Sequence, residues 1–262
     1  AAAGGVTTVL DMPNVVPQTT TDEALALKEA IAAERCVVNY GFLVGATNEN
    51  AEFLRRINRR RVAAIKVFMG SSTGNMLVDH EEVLARLFDN SRLPIVTHCE
   101  DTTLINLAMK KCQAVNGPDP AVRFHAQIRS AEACYRSTEL AVRLAHEYDT
   151  RLVAHLSTAR ELELFDLAAY PKVTAEVCLP HLLFTDADYD RLGARIKCNP
   201  SVKTREDRDA LRAALADGRI STGPFYTSAP AAGRPSVVFG GRRTIKKKKK
   251  NKQKQTKKQK HN

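Results

Sequence analysis

The chain has 262 residues, six cysteines, no tryptophan and a net charge of +11 from 40 Lys+Arg against 29 Asp+Glu. Its 44% hydrophobic content excludes wholesale disorder, and no run approaches the roughly 20 apolar residues of a membrane-spanning helix. Residues 242–262 hold 12 of the basic residues and no acid, which leaves 28 basic and 29 acidic residues, a net of −1, in 1–241. The excess charge belongs to the tail, so nothing in the remainder calls for a nucleic acid or an anionic membrane as partner.

Cys36, Cys99, Cys112, Cys134, Cys178 and Cys198 are scattered, with no C-x-x-C spacing. Zinc knuckles and redox pairs are thereby excluded, and free thiols in a reducing cytoplasm are expected. The opening run Ala1–Gly5 has no Met and no basic segment, and reads as neither a signal peptide nor a natural start.

In chain order, β-rich runs alternate with amphipathic ones. A strand is predicted over Val6–Leu10, then a helix over Asp22–Glu34 with acids in the first turn, where the helix dipole favours them. A strand over Val37–Val44, a helix over Ala51–Arg60 and a strand over Ala63–Phe68 follow. The Gly/Ser-rich run Gly70–Asn75 lacks the lysine of a phosphate-binding loop. Next come a helix over His80–Asn90, a strand over Pro94–His98, and helices over Asp101–Cys112 and His125–Tyr148. The pattern closes with a strand over Leu152–Leu156, a helix over Ala159–Ala169, a strand over Val173–Cys178, a weaker strand over Arg195–Cys198 and a helix over Thr204–Ala216.

Such alternation demands βαβ crossovers and a parallel sheet covered by helices, as a (β/α) barrel or a doubly wound sheet. No G-x-G-x-x-G follows a strand, which disfavours a dinucleotide fold, and no internal repeat is present. Beyond Ile220 the periodicity vanishes apart from Val237–Phe239, and the lysine-rich end is expected to be disordered. The Lys, Asn, Gln, Thr and His of that end all have A-rich codons. The tail therefore reads as the product of an A-rich stretch outside the true frame, a reading that an intact frame at the locus would overturn.

Barrel enzymes place their chemistry at the C-terminal ends of strands. Four predicted strands end in polar residues, in DMPN (Asp11–Asn14), IKVFMG (Ile65–Gly70), THCED (Thr97–Asp101) and AHLST (Ala154–Thr158). Lys66 sits between Ile65 and Val67, a position that is costly for an amine unless it is paired or modified. His98 and His155 each close a strand. A buried lysine that has taken up CO2 is an anionic oxygen ligand able to bridge two divalent ions, with imidazoles completing the shell. The spacing alone also accommodates plainer roles. Histidines at strand ends are most often structural, and Lys66 could form a buried ion pair with Asp11 or Glu100. Asn14 and Asn199, each beside a proline, read alone as turn residues.

The runs AAAGGVTTVLDMPN, IKVFMGSSTGNMLVD, PIVTHCED, RFHAQIRSAEACYRS, AHLSTARELELF and KCNPSVKTREDRDAL together resemble dihydroorotases of the amidohydrolase superfamily. They cover residues 1 to about 220 in family order, although DMPN and HCED also occur in allantoinases and dihydropyrimidinase-like proteins. The resemblance implies a TIM-type (β/α)8 barrel and the zinc-dependent interconversion of N-carbamoyl-L-aspartate and L-dihydroorotate. It puts Lys66 at the N6-carboxylated, metal-bridging lysine and His98 and His155 at metal-binding histidines of strands five and six. Asn14 and Asn199 fall at substrate-contacting asparagines. Arg129 and Glu132 are expected in structural pairing, Cys99 as a small buried residue, and His181 carries no assigned function.

Two parts of the family pattern are missing. The strand-one H-x-H motif and its following arginine would precede the AAAGG run with which this chain opens. The strand-eight aspartate of a T-D-H-A-P-H run is expected near Tyr226, but Asp217-Gly218-Arg219-Ile220 is followed by Ser221-Thr222-Gly223-Pro224. The resemblance thus implies a barrel unit over 1–220 lacking strands one and eight, and a non-family tail over 221–262. A chain of that kind is expected to be inactive and prone to aggregate through open sheet edges. The expected partner is the small-molecule substrate, in the cytoplasm, with no specific nucleic acid and no membrane; a homodimer is compatible. Allantoinase or a dihydropyrimidinase-like hydrolase is the alternative among enzymes. A non-catalytic partner of a carbamoyltransferase, or polyanion binding by the tail, are the alternatives outside them.

Overall fold

The computed structural model describes residues 1–70 and 75–220. The strand-eight position near Tyr226, Val237–Phe239, the basic tail and most of the Gly70–Asn75 run lie outside the described residues. Six strands, β1 (Thr8–Asp11), β2 (Asn39–Gly45), β3 (Ala64–Phe68), β4 (Ile95–His98), β5 (Leu152–Leu156) and β6 (Val173–Val177), form one sheet in the order β1-β2-β3-β4-β5-β6. Every neighbouring pair is parallel.

Between the strands run helices α1 (Asp22–Arg35), α2 (Ala51–Arg56), α3 (Glu81–Asn90), α4 (Thr102–Asn116), α5 (His125–Ile128) and α6 (Ala131–Glu147); α7 (Leu179–Leu183), α8 (Tyr189–Leu192) and α9 (Arg205–Asp217) follow β6. This is the α/β layout expected of the barrel, present for six strands among the described residues. No helix among the described residues is long and apolar enough to cross a membrane.

The period-two alternation of each strand separates two layers. One face sends Val44, Ile65, Val67, Ile95 and Leu152 into the main core with Leu25, Leu84, Phe88, Val142 and Leu144 from the covering helices. The opposite face carries a smaller apolar layer of Leu10, Leu43, Ala64, Val96 and Val153. Further along the strands, that second face turns polar. β3 and β4 are buried at every position, as near-continuous apolar runs in parallel sheets require, whereas β6 alternates buried and half-buried residues.

Helix starts follow from their caps. Thr21, Asp101 and Ser130 accept the backbone N–H three residues on, and Thr204 and Asp207 cap each other reciprocally at α9. The Ser130 cap explains one departure from expectation. The single helix expected over His125–Tyr148 divides at Arg129, whose φ of −100° and ψ of 67° leave the helical region before Ser130 starts α6.

The helix expected over Ala159–Ala169 shrinks to a 3-10 turn over Arg160–Leu164, since the Asp166 carboxylate takes the N–H groups of Ala168 and Ala169. The weak strand expected over Arg195–Cys198 is not formed. Gly193 turns the chain at a φ of 57°, and Lys197 N–H closes a 3-10 turn on the Ala194 carbonyl. Gly70 is needed at its place after β3: a Cβ there would come within 1.8 Å of the Glu100 carbonyl oxygen.

Candidate metal centre

Sheet register sets the candidate residues in one row. Phe68 lies opposite His98, and His155 lies opposite Glu176. The pairing of Thr97 with Ala154 brings His98 alongside His155. Lys66, two residues before Phe68, shares their face, beyond the small apolar layer. The three residues at which the family resemblance expects a metal are thus brought together by three adjacent strands.

The Lys66 side chain is buried, and its Nζ has no hydrogen-bond partner among the described residues. The ammonium sits 5.0 Å from the centre of the Phe68 ring. Burial pulls its pKa down to about 8, with Glu176 opposing. Neither Asp11 nor Glu100 pairs with it. Asp11 binds the Lys28 ammonium, and Glu100, fully buried, is held by Arg129. The buried ion pair considered for Lys66 with either carboxylate is therefore not made.

His98 Nε2 lies 2.6 Å from Glu100 Oε2. Its Nδ1 lies 3.1 Å from Nε2 of His155, the rings meeting edge to face. Nδ1 of His155 lies 3.5 Å from Glu176 Oε1. Burial holds both imidazoles neutral, lowering the His98 pKa against the pull of Glu100 and driving His155 well below its ordinary value, where Lys66 and His98 add to the effect. Burial acts to raise the Glu100 pKa, yet His98 and Arg129 overcome it and hold the carboxyl at about 2. The centre is an amine, two neutral imidazoles and a fixed carboxylate in a desolvated row, a donor set suited to a borderline divalent cation. Among the described residues, no three His, Cys, Asp or Glu side chains by themselves form a metal-holding group, so the lysine is essential to the assignment.

Asn14 and Asn199 are not drawn into this row by any hydrogen bond among the described residues. Asn14 is exposed in the bend after β1. Asn199, also exposed, accepts from His125 Nε2 at 3.2 Å, a bond shared with the Cys198 carbonyl. Arg129 takes the structural pairing expected of it, with its Nε donating to Glu100 Oε1 at 2.9 Å. Glu132 pairs on the surface with Arg136 and Arg160. Cys99 is a small buried residue against Met69.

Glu176 and Glu161 escaped the sequence reading. The alternation in VTAEV would have flagged Glu176, because it puts the glutamate on the face opposite Val173, Ala175 and Val177. Glu161 is fully buried and accepts from the Ser157 and Thr158 N–H groups and from the hydroxyls of Thr158 and Thr138. It ties the loop after His155 to α6. Its signal was the spacing of Thr158 and Glu161, that of a capping box.

His181 is a structural residue. Its Nε2 donates to the Pro200 carbonyl at 2.9 Å, while its buried Nδ1 has no hydrogen-bond partner among the described residues. Burial pushes its pKa down to about 4. Above its ordinary value of 6.5, folded and unfolded chains are both neutral there and nothing is lost. As pH falls from 6.5 towards 4, the unfolded chain takes the proton first and stability drops. The urea midpoint of His181→Gln is expected to fall less over that window than that of the unaltered chain.

No family model matches the chain. A dihydroorotase from Halobacterium salinarum is 34% identical over 228 residues, covering 84% of this chain and 50% of the relative. The dihydroorotase of Methanosarcina mazei is 32% identical over 237 residues, with the same coverage. The L-hydantoinase (dihydropyrimidinase) of Arthrobacter aurescens superposes with a TM-score of 0.77 at 26% identity, over 85% of this chain and 50% of that one. The chain is dihydroorotase-like. It spans about half the length of the curated relatives it matches. An allantoinase from Rubrobacter xylanophilus, 30% identical over 249 residues, shows that the dihydroorotase-like pattern is shared across cyclic-amide hydrolases.

Proposed function

We propose that this chain carries part of the metal centre of a zinc-dependent cyclic amidohydrolase that interconverts N-carbamoyl-L-aspartate and L-dihydroorotate in pyrimidine synthesis. The observation that carries the reading is the convergence of a buried amine without a hydrogen-bond partner among the described residues, Lys66, with two facing imidazole nitrogens 3.1 Å apart. An amine with a pKa of about 8 has a substantial neutral fraction near physiological pH, and the neutral form is the one that adds to CO2 to give a carbamate and a proton. Carboxylated Lys66, His98 Nδ1 and His155 Nε2 would hold the metal. Zinc bound there would polarise the amide carbonyl and lower the pKa of water.

The protein's own contribution is to keep these donors fixed and dry. The apolar layer of Leu10, Leu43, Ala64, Val96 and Val153 closes one side of the row. Glu161 anchors the loop that follows His155. Asn14 and Asn199 are assigned to the substrate on the family resemblance. The unit over 1–220 supplies no H-x-H pair, and no acid lies beyond Asp217 to take the role of the strand-eight aspartate. On this reading a unit holding only these groups would bind zinc without turning over at a normal rate, since losing the general acid/base alone commonly removes a factor of about 10²–10⁴.

Isothermal titration of the full chain with Zn²⁺, with and without bicarbonate, and a dihydroorotate ring-opening assay test this. Zinc affinity that rises with bicarbonate and is lost in His98→Asn is expected, with no appreciable hydrolysis. An absence of zinc binding would overturn the metal reading. Normal-rate hydrolysis with two ions bound would overturn the partial-site reading, and ring opening of allantoin instead would favour the allantoinase alternative.

A further inference from the structure

The histidines in this chain divide by what holds their rings. His125 and His181 each direct Nε2 at a backbone carbonyl, of Cys198 and Pro200. Among the described histidines, His98 alone makes a hydrogen bond to a fully buried carboxylate, Glu100. That carboxylate is itself gripped by Arg129, whose Nε and Nη2 reach its two oxygens. A guanidinium only donates, so it keeps Glu100 ionised and purely an acceptor. The proton in the 2.6 Å contact must then sit on His98 Nε2, and a neutral imidazole protonated there has a bare Nδ1.

We propose that Glu100, held by Arg129, is a positioning residue that presets His98 in the Nε2–H tautomer and so aims its Nδ1 lone pair at the cation position. The inference rests on the metal reading given above for the role of that lone pair, though not for the tautomer itself. In the metal-free chain the bare Nδ1 accepts from His155 Nε2–H, which accounts for the 3.1 Å approach of the two rings. A divalent cation held there would take the place of that proton, and the neutral His155 ring would then carry its hydrogen on Nδ1, the nitrogen facing Glu176 at 3.5 Å. No net proton is released by this exchange: the Nε2–H of His155 is lost and a Nδ1–H is gained. His98 is thus set in advance, whereas His155 switches tautomer on loading.

Long-range ¹H–¹⁵N correlation spectra of the full chain, metal-free and then with Zn²⁺ alone, read both rings directly, with assignments from the signals lost in His98→Asn and His155→Asn. The metal-free chain is expected to show Nε2–H for both residues, and the zinc-loaded chain Nε2–H for His98 and Nδ1–H for His155. Glu100→Leu removes both oxygens that accept from Arg129 and His98. It is expected to populate the Nδ1–H tautomer of His98 and to weaken zinc binding by about 10–100-fold, while Glu100→Asp, which keeps the acceptor, loses less.

Finding His98 as Nδ1–H in the metal-free unaltered chain would overturn the proposal, whether or not Glu100→Leu folds. An unchanged His98 tautomer in folded Glu100→Leu would overturn it too. The expected tautomer in a chain that fails to bind Zn²⁺ would support the presetting and overturn only the metal reading.

Discussion

Replacing Arg129 by methionine is expected to destabilise the fold by about 3–5 kcal/mol, the range for removing one partner of a buried ion pair. Glu100 has no solvent exposure and the Arg129 side chain has 11%, so water cannot replace the lost guanidinium. The carboxylate would be left with His98 as its main partner. Its pKa, now about 2, would rise because burial already pushes it upward. The loss should consequently be largest at neutral pH and shrink in acid, where Glu100 can take a proton instead. Urea denaturation at pH 7 and pH 5 checks this. Adding Glu100→Leu to Arg129→Met should restore part of the loss, because the cost lies mainly in the unpaired charge; an additive double variant would contradict that account.

Lys66→Met should act in the opposite direction. In chelator-treated protein it is expected to stabilise the fold by about 1–3 kcal/mol, the cost of a buried polar group with no partner. The sign has a pH signature. The folded-state pKa of about 8 lies below the ordinary 10.5, so below pH 8 the ammonium is present in both states and its burial cost is full. Between about 8 and 10.5 the folded chain sheds the proton first, and the unaltered protein gains stability. The advantage of Lys66→Met should therefore narrow as pH rises through that window, while its zinc binding is lost throughout. Such a trade of stability for a functional group is what the proposed role of Lys66 predicts. A destabilised Lys66→Met chain would mean that the amine is satisfied in the fold.

Much of the strand and helix order was legible because parallel strands buried on both faces must be short apolar runs. Ile65, Val67, Ile95 and Leu152 announce themselves in this way, and caps such as Thr21, Asp101 and Thr204 mark where helices begin. Elements after β6 were harder to read. The segment around Ile196 has one buried apolar residue and is shaped by Gly193 and local hydrogen bonds, so no period survives to be recognised. The division between α5 and α6 was hidden because Arg129 and Ser130 are both tolerated inside helices. Only the pull of Glu100, 29 residues earlier, and the Ser130 cap decide the break.

By itself the sequence determined the alternating α/β plan, the neutral body beside a basic tail, and the three residues Lys66, His98 and His155 as metal candidates. Residue type and strand period suffice for the first two, being local properties, whereas the metal candidates rest on the family resemblance of their motifs. Only the tertiary structure decided which partners those residues have: that Lys66 stands without a hydrogen bond among the described residues, that Glu100 serves His98 and Arg129 instead, and that Glu176 closes the row. Partner choice depends on strand register and on distances across the sheet. In a desolvated row such differences of a few ångströms settle where each proton resides.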